Sequence, residues 1–314
     1  MLAYLARRLL QGVLVIFLVT VFTFFLINLA PGGPASVVRM DTTAEQRQVL
    51  MHQLGLDVPV GVRYLIWARG VVHGDFGSSM AGGEPVRPLL EQRLANTAQL
   101  ALAALVLAIV LGLPLGIWTA LRRGTWLDYV LGSVATLGMS LPGFWLGIMT
   151  IMLFSVTLRI LPSSGMAEIG AGFSLTDRLR HLVLPAGVLA LVVMPNLLRF
   201  SRSALLEVLD LDYMRTARAK GLAQTVIVLK HALKNALIPV VAMIGLLLPA
   251  LLSGSVIIES VFGWPGMGRL AVDAAMNRDY TVVMGVTVVA GAVVVLTNLG
   301  VDMVYSLVDP RVRA

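Results

Sequence analysis

LLQGVLVIFLVTVFTFFLINLA, residues 9–30, contains no Asp, Glu, Lys or Arg. A bilayer core about 30 Å thick is crossed by about 20 apolar residues of helix. Five further windows are equally free of charge: Thr97–Leu121, Tyr129–Leu158, Leu182–Leu198, Ala236–Ile258 and Thr281–Val301. Each is mostly Leu, Val, Ile, Ala, Phe, Met and Gly. The alternative, core helices of a large soluble enzyme, would have to bury six such windows in 314 residues. The sequence is read as an all-α integral membrane protein with six transmembrane helices. The first apolar run, Leu9–Leu29, exceeds the roughly 7–15 residues of a cleavable signal core. With Arg7 and Arg8 ahead of it, it is expected to act as a signal-anchor with a cytoplasmic N-terminus.

The composition agrees. The chain is 58% hydrophobic and 13% charged, with a mean hydropathy of +0.87. Soluble domains carry about 45–50% apolar and about 25% charged residues, so a water-soluble globule and a disordered chain are both excluded. The absence of cysteine removes disulfides, thiolate catalysis and thiolate metal sites. The net charge of +7 could suggest nucleic acid, but its distribution points elsewhere. The residues 199–235 hold seven basic and three acidic side chains, net +4, whereas residues 31–95 hold six of each. Raw totals barely discriminate, at 13 basic residues on one side and 11 on the other. The balance places residues 199–235 and both termini inside, because positive charge marks cytoplasmic loops.

Two polar pieces interrupt the spans. In residues 31–95, Thr42-Thr43-Ala44-Glu45 has capping-box spacing, so a short helix is expected from there toward Gly55. Val62, Leu65 and Ile66 fall on one face of a second short helix. Pro85 and Pro88 open another helical turn. This segment is expected to form a small folded cap on the outer face. In residues 199–235, Asp210 or Asp212 is expected to cap a short helix that runs through Tyr213–Lys220 and ends at Gly221 in the left-handed conformation. Helix resumes at Gln224. Within the spans, Gly112–Gly116 and Gly143–Gly147 have the spacing of close helix packing, and Pro114, Pro142, Pro195 and Pro249 are candidate kinks.

Much chemistry is missing. Lys220, Lys230 and Lys234 are followed by Gly221, His231 and Asn235, so no Walker A loop exists. His52, His73, His181 and His231 are too dispersed for a zincin motif. No span carries a charge at its middle, as ion-coupled carriers usually do. Catalytic, cofactor-binding and metal-binding residues are therefore expected to be none. The remainder is a membrane protein without an engine of its own.

Several ordered motifs suggest where the engine lies. They are Leu5-Ala6-Arg7-Arg8-Leu9-Leu10, Leu54-Gly55-Leu56-Asp57, Gly74-Asp75-Phe76-Gly77-Ser78, Ser140-Leu141-Pro142-Gly143-Phe144-Trp145 and Leu161-Pro162-Ser163-Ser164-Gly165. Asp212-Tyr213-Met214-Arg215-Thr216-Ala217-Arg218-Ala219-Lys220-Gly221-Leu222 follows, then His231–Pro239, Phe262–Gly268 and Leu307–Arg311. Together they resemble the permease subunit of ABC importers for dipeptides, oligopeptides and nickel. The resemblance runs from Leu5 to Arg313.

It implies the type I importer permease fold, with residues 1–95 forming the first span and outer segment. Residues 96–306 would form the permease domain, with a coupling helix at about 210–222, and 307–314 a cytoplasmic tail. It implies that Asp212, Tyr213, Arg215, Thr216, Ala217, Arg218, Ala219, Lys220, Gly221 and Leu222 engage the ATPase. The general family pattern Glu-Ala-Ala is Arg215-Thr216-Ala217 here, so no carboxylate contact is expected at that position. The implied partners are a second permease, two ATPase subunits that hold ATP and Mg, and an extracytoplasmic binding protein. The implied location is the bacterial inner membrane. Peptides are the expected cargo, with a nickel chelate as alternative. An ion-coupled secondary transporter and a membrane-embedded hydrolase are the readings from other classes.

Overall fold

A computed structural model of the chain describes residues 2–29, 57–170 and 172–308. The expected helix near Thr42–Glu45, the Leu54–Leu56 motif and the residues beyond Val308 lie outside the described residues. Among the described residues the only regular elements are helices. They are α1 (Leu2–Leu29), α2 (Val60–Val72), α3 (Val86–Leu121), α4 (Trp126–Ser140), α5 (Gly143–Thr150), α6 (Leu175–Leu209), α7 (Asp212–Ala219), α8 (Leu233–Val261), α9 (Met267–Met276) and α10 (Tyr280–Val308). A wide π turn follows α5 at Ile151–Thr157, and another leads from Gln224–Val226 into α8 at Ile227–Ala232.

Five of these helical stretches are long and apolar enough to span a bilayer: Ala6–Leu29, Val86–Leu121, Leu175–Leu209, Gln224–Pro249 and Tyr280–Met303. The sixth apolar window is not one straight helix. It is α4 followed by α5 and its π turn, bent by 101° at the junction. The cause is local. Leu141 is extended (φ −85°, ψ 128°), the conformation to which a residue before proline is pushed. Pro142 lacks the N–H that would continue α4 and instead precedes the first turn of α5. Pro114, Pro195 and Pro249 do not interrupt their helices.

The chain divides into two compact units. One comprises residues 1–96 and 266–296, the other 97–265 and 297–314. In the first, Val86, Leu90, Met267, Leu270, Val282 and Val286 form a buried apolar cluster. The loop before α3 folds back on itself, with Ser79 N–H donating to Glu84 C=O (2.8 Å) and Val86 N–H to Gly77 C=O (2.9 Å). Asp279 fixes that loop. Its carboxylate accepts from the Ser79 hydroxyl and the Met80 N–H (3.1 Å). It also accepts from Val282 N–H (3.2 Å), which caps α10.

α2 packs on α1 through Tyr64 and Trp67. Val62, Leu65 and Ile66, expected to seal a folded cap, instead point away from the described protein. The aromatic side chains offer the larger area to bury, and they take the inward face.

In the second unit, Leu100, Leu105, Leu189, Val193, Leu251 and Trp264 belong to one buried cluster. The Gly112–Gly116 spacing is close packing of α3 on α6: a Cβ at Gly116 would lie 2.0 Å from Ser201 Oγ and 2.5 Å from the Leu198 carbonyl oxygen. Gly147 likewise faces Val261 at 3.0 Å. Phe262 and Trp264 of the quoted motif are core side chains, and the Phe262 carbonyl accepts from Gly165 N–H (2.9 Å), which pins the Pro162–Gly165 turn.

Candidate functional site

α6 ends at Leu209, Leu211 turns extended (φ −71°, ψ 150°), and α7 begins at Asp212. Neither aspartate caps α7 through its side chain. Asp212 occupies the first helical position and instead pairs with Arg215 (3.2 Å) on the exposed surface. That placement still puts a negative charge in the first turn, where the helix dipole favours it. The other end matches the expectation. Gly221 has φ +73°. Its N–H donates to Arg218 C=O (3.0 Å), and Leu222 N–H donates to Ala217 C=O (3.4 Å). This is the Schellman arrangement, which satisfies carbonyls that a helix end would otherwise leave open.

Two side chains fasten α7 to the rest of its unit. Met214 is fully buried and Ala217 nearly so, one helical turn apart. They join a cluster with Ala120 of α3, Leu205 and Leu209 of α6, and Ile227 and Ala236. Burying a side chain the size of Met stabilises by about 1.5–3 kcal/mol. Tyr213 Oη accepts from Asn235 Nδ2 (2.9 Å), a lateral tie to α8.

The opposite face is open. Asp212, Tyr213, Arg215, Thr216, Arg218, Ala219, Lys220, Gly221 and Leu222 are all exposed. Thus nine of the ten residues expected to engage an ATPase share an accessible surface, and Ala217 does not: it faces inward. Met214, which completes the anchor, was missed as a site residue. Its helical spacing from Ala217 was the available clue.

The support behind this face also escaped the sequence reading. Asp128, at the start of α4, receives two hydrogen bonds from Arg202 of α6, Nε and a terminal nitrogen both at 2.8 Å. It further accepts from Gly124 N–H (3.1 Å), which fixes the α3–α4 turn. Asp210 lies 3.8 Å from Arg123 across solvent. Such an exposed pair contributes at most about 1 kcal/mol.

A buried carboxylate lies at the far end of α8. Glu259, one residue beyond the apolar window Ala236–Ile258, is fully buried and accepts from Thr97 Oγ1 (2.7 Å). Among the described residues no group of three or more His, Asp or Glu is placed to hold a metal ion.

Residues 112–314 match the family described as binding-protein-dependent transport system inner membrane component. Residues 1–103 match the corresponding N-terminal family. The chain is 41% identical over 316 residues to the oligopeptide transport system permease protein AppB of Bacillus subtilis, covering 100% of both chains. It is 37% identical over 336 residues to the dipeptide transport system permease protein DppB of Escherichia coli K12, covering 100% of this chain and 99% of that one. Among solved structures it resembles the inward-facing MetNI methionine ABC transporter, with a TM-score of 0.58 and 21% identity over 70% of this chain and 96% of that one. The structural likeness bears on the fold alone.

Proposed function

The chain belongs to the family of binding-protein-dependent transport system inner membrane components, and from that premise we propose that it forms half of a peptide pathway through the inner membrane. A second permease supplies the other half, two ATPase subunits bind the face that carries α7, and a binding protein delivers peptides from outside. The observation that carries the peptide reading is full-length identity of 41% to an oligopeptide permease. Nickel chelates are the competing cargo, and no feature of the described residues favours them.

The chain's own part in the mechanism is mechanical. ATP and Mg reside on the partner subunits and supply the free energy that biases a two-state pathway. A ligand shifts such an equilibrium only through its differential affinity for the two states. That difference has to reach the spans through a rigid element. α7 suits the role because its ends are fixed and its inner face is keyed by Met214 and Ala217 to α3, α6 and α8. A push on the exposed residues Arg215, Thr216 and Arg218 therefore moves three spanning helices together. The wide turn at Ile227–Ala232, immediately before α8, is a point where backbone hydrogen bonding is irregular and bending is easiest. The positive charge of residues 199–235 supports a cytoplasmic position for this face and for both termini.

Two measurements test the reading. Cysteine at Thr216 should cross-link to co-purified ATPase subunits, while cysteine at the inward-facing Met214 should not. Cross-links from Thr216→Cys to the binding protein instead would invert the topology. Mass spectrometry of the ligand retained by the cognate binding protein should return peptides, and a metal chelate there would overturn the cargo assignment.

A further inference from the structure

The helix α2 has one side bound to α1 and another on which, among the described residues, no protein packs. The bound side is specific. Tyr64 is buried, its hydroxyl shares a hydrogen bond with Thr20 Oγ1 (3.0 Å), and its ring meets Phe17 (6.2 Å) and Phe24 (5.4 Å) edge-on. Trp67 stacks on Phe24 (6.4 Å), and Arg63 donates to Asn28 Oδ1. The other side is a stripe of Val62, Leu65, Ile66 and Val72, exposed by 45%, 67%, 62% and 83%. Counted from Val62, the others follow at three, four and ten residues, which keeps them on one helical face with Arg69 at its middle.

The partners on α1 set the depth of this stripe. α1 spans from Ala6 to Leu29. At 1.5 Å per residue, Thr20 lies about 13 Å below Leu29 and Phe24 about 7 Å below it. Half of a hydrocarbon core is about 15 Å. The Tyr64 side chain therefore reaches into the membrane, and the α2 backbone cannot stand clear of it in bulk water. The neighbouring surface of α1 is also open and apolar, through Leu18, Phe22, Phe25 and Leu29. Helices that lie in the interface carry an apolar face such as that of α2; Arg69 falls at its middle, near the C-terminal end of α2, where its long stem lets the guanidinium reach the headgroups.

We propose that α2 lies along the membrane surface with Val62, Leu65, Ile66 and Val72 immersed in the leaflet at the C-terminal end of α1. In the topology given above this is the outer leaflet. The occupant of the stripe is lipid. The segment then acts as a float that holds the following loop, residues 73–85, at a constant height above the bilayer. Loop placement relative to an arriving binding protein would follow from lipid contact, not from a rigid protein dome.

Cysteine-free sequence makes the test direct, because no native thiol in this chain competes for label. Nitroxides on Leu65→Cys, Ile66→Cys and Val62→Cys are read by power saturation in the complete importer, reconstituted in phosphatidylethanolamine–phosphatidylglycerol vesicles. Leu18→Cys on α1 serves as lipid reference and Glu168→Cys, exposed on the loop before α6, as water reference. The expected result is an oxygen-to-nickel-chelate collision ratio several-fold above that of Glu168→Cys and close to that of Leu18→Cys. A nickel-dominated signal would place the stripe in water. Shielding from both reagents would place it under protein, from this chain or a partner. Either result overturns the proposal without touching the transport assignment, and three label sites guard against one that disturbs assembly.

Discussion

Asp128 and Arg202, 74 positions apart, meet through two parallel hydrogen bonds of 2.8 Å each, and so bind the first turn of α4 to the last third of α6. The planar guanidinium matches both carboxylate oxygens at once, which makes the pair geometrically selective as well as strong. Its position beside the α3–α4 turn ties three helices together just behind the α7 surface.

Removing one partner leaves a poorly solvated charge. Asp128→Ala is expected to cost about 1.5–3 kcal/mol and to lower the thermal midpoint of the detergent-solubilised complex. Arg202→Ala should cost a similar amount. In a double-mutant cycle the two losses should be strongly non-additive, and additive losses would mean that the pair contributes nothing as a pair.

At Gly221, space is not the constraint. A Cβ there would meet nothing within 4 Å, so any penalty comes from the positive φ of 73°. Gly221→Val should incur about 1–2 kcal/mol of backbone strain, fray the end of α7 and leave ATP hydrolysis running without matching uptake. Gly221→Asn, which tolerates the left-handed region, should be much milder. Wild-type uptake together with normal ATPase stimulation in the valine variant would refute the coupling role.

Two glycines within the spans should respond in opposite directions. Gly116→Ala forces a methyl group against a backbone carbonyl and should destabilise by about 1–3 kcal/mol. Gly132→Ala, with nothing within 4 Å of its Cβ position, should be neutral or stabilising by up to about 1 kcal/mol. Thermal unfolding of each variant followed by fluorescence separates the cases.

Asp279→Ala deprives Ser79 and Met80 of their shared acceptor and α10 of its cap. The loop at residues 77–86 should then become cleavable by protease added to the outer face, and uptake should fall while basal ATP hydrolysis is kept. Asp279→Asn, which keeps one acceptor oxygen, should lie between the two. Protease resistance equal to wild type in the alanine variant would show that the loop is held by other means.

The spans were legible because the signal is compositional: twenty uncharged residues mean the same thing wherever they occur. The end of α7 was legible because Gly221 carries its own conformational preference. The break at Leu141–Pro142 was not. Pro114, Pro195 and Pro249 look the same in sequence and sit inside unbroken helices, so tertiary packing decides which proline interrupts. Pairs such as Thr97 with Glu259, 162 positions apart, leave no local trace. The side of α2 that packs inward was misjudged because periodicity gives the stripe and not the neighbour. Tyr64 and Trp67 gain their advantage only once Phe17 and Phe24 are alongside.

The shape of α7 depends on Met214, Ala217 and Gly221, and on main-chain hydrogen bonds; its outward chemistry depends on Arg215, Thr216 and Arg218. The two sets of residues do not overlap. A lineage can therefore rewrite the exposed letters, including the exchange of an acid for Arg215, while the element keeps its length and seat. If α7 is the ATPase contact proposed above, such a division lets the transporter and its motor co-adapt one surface residue at a time, and lets related systems diverge enough to avoid recruiting each other's motors.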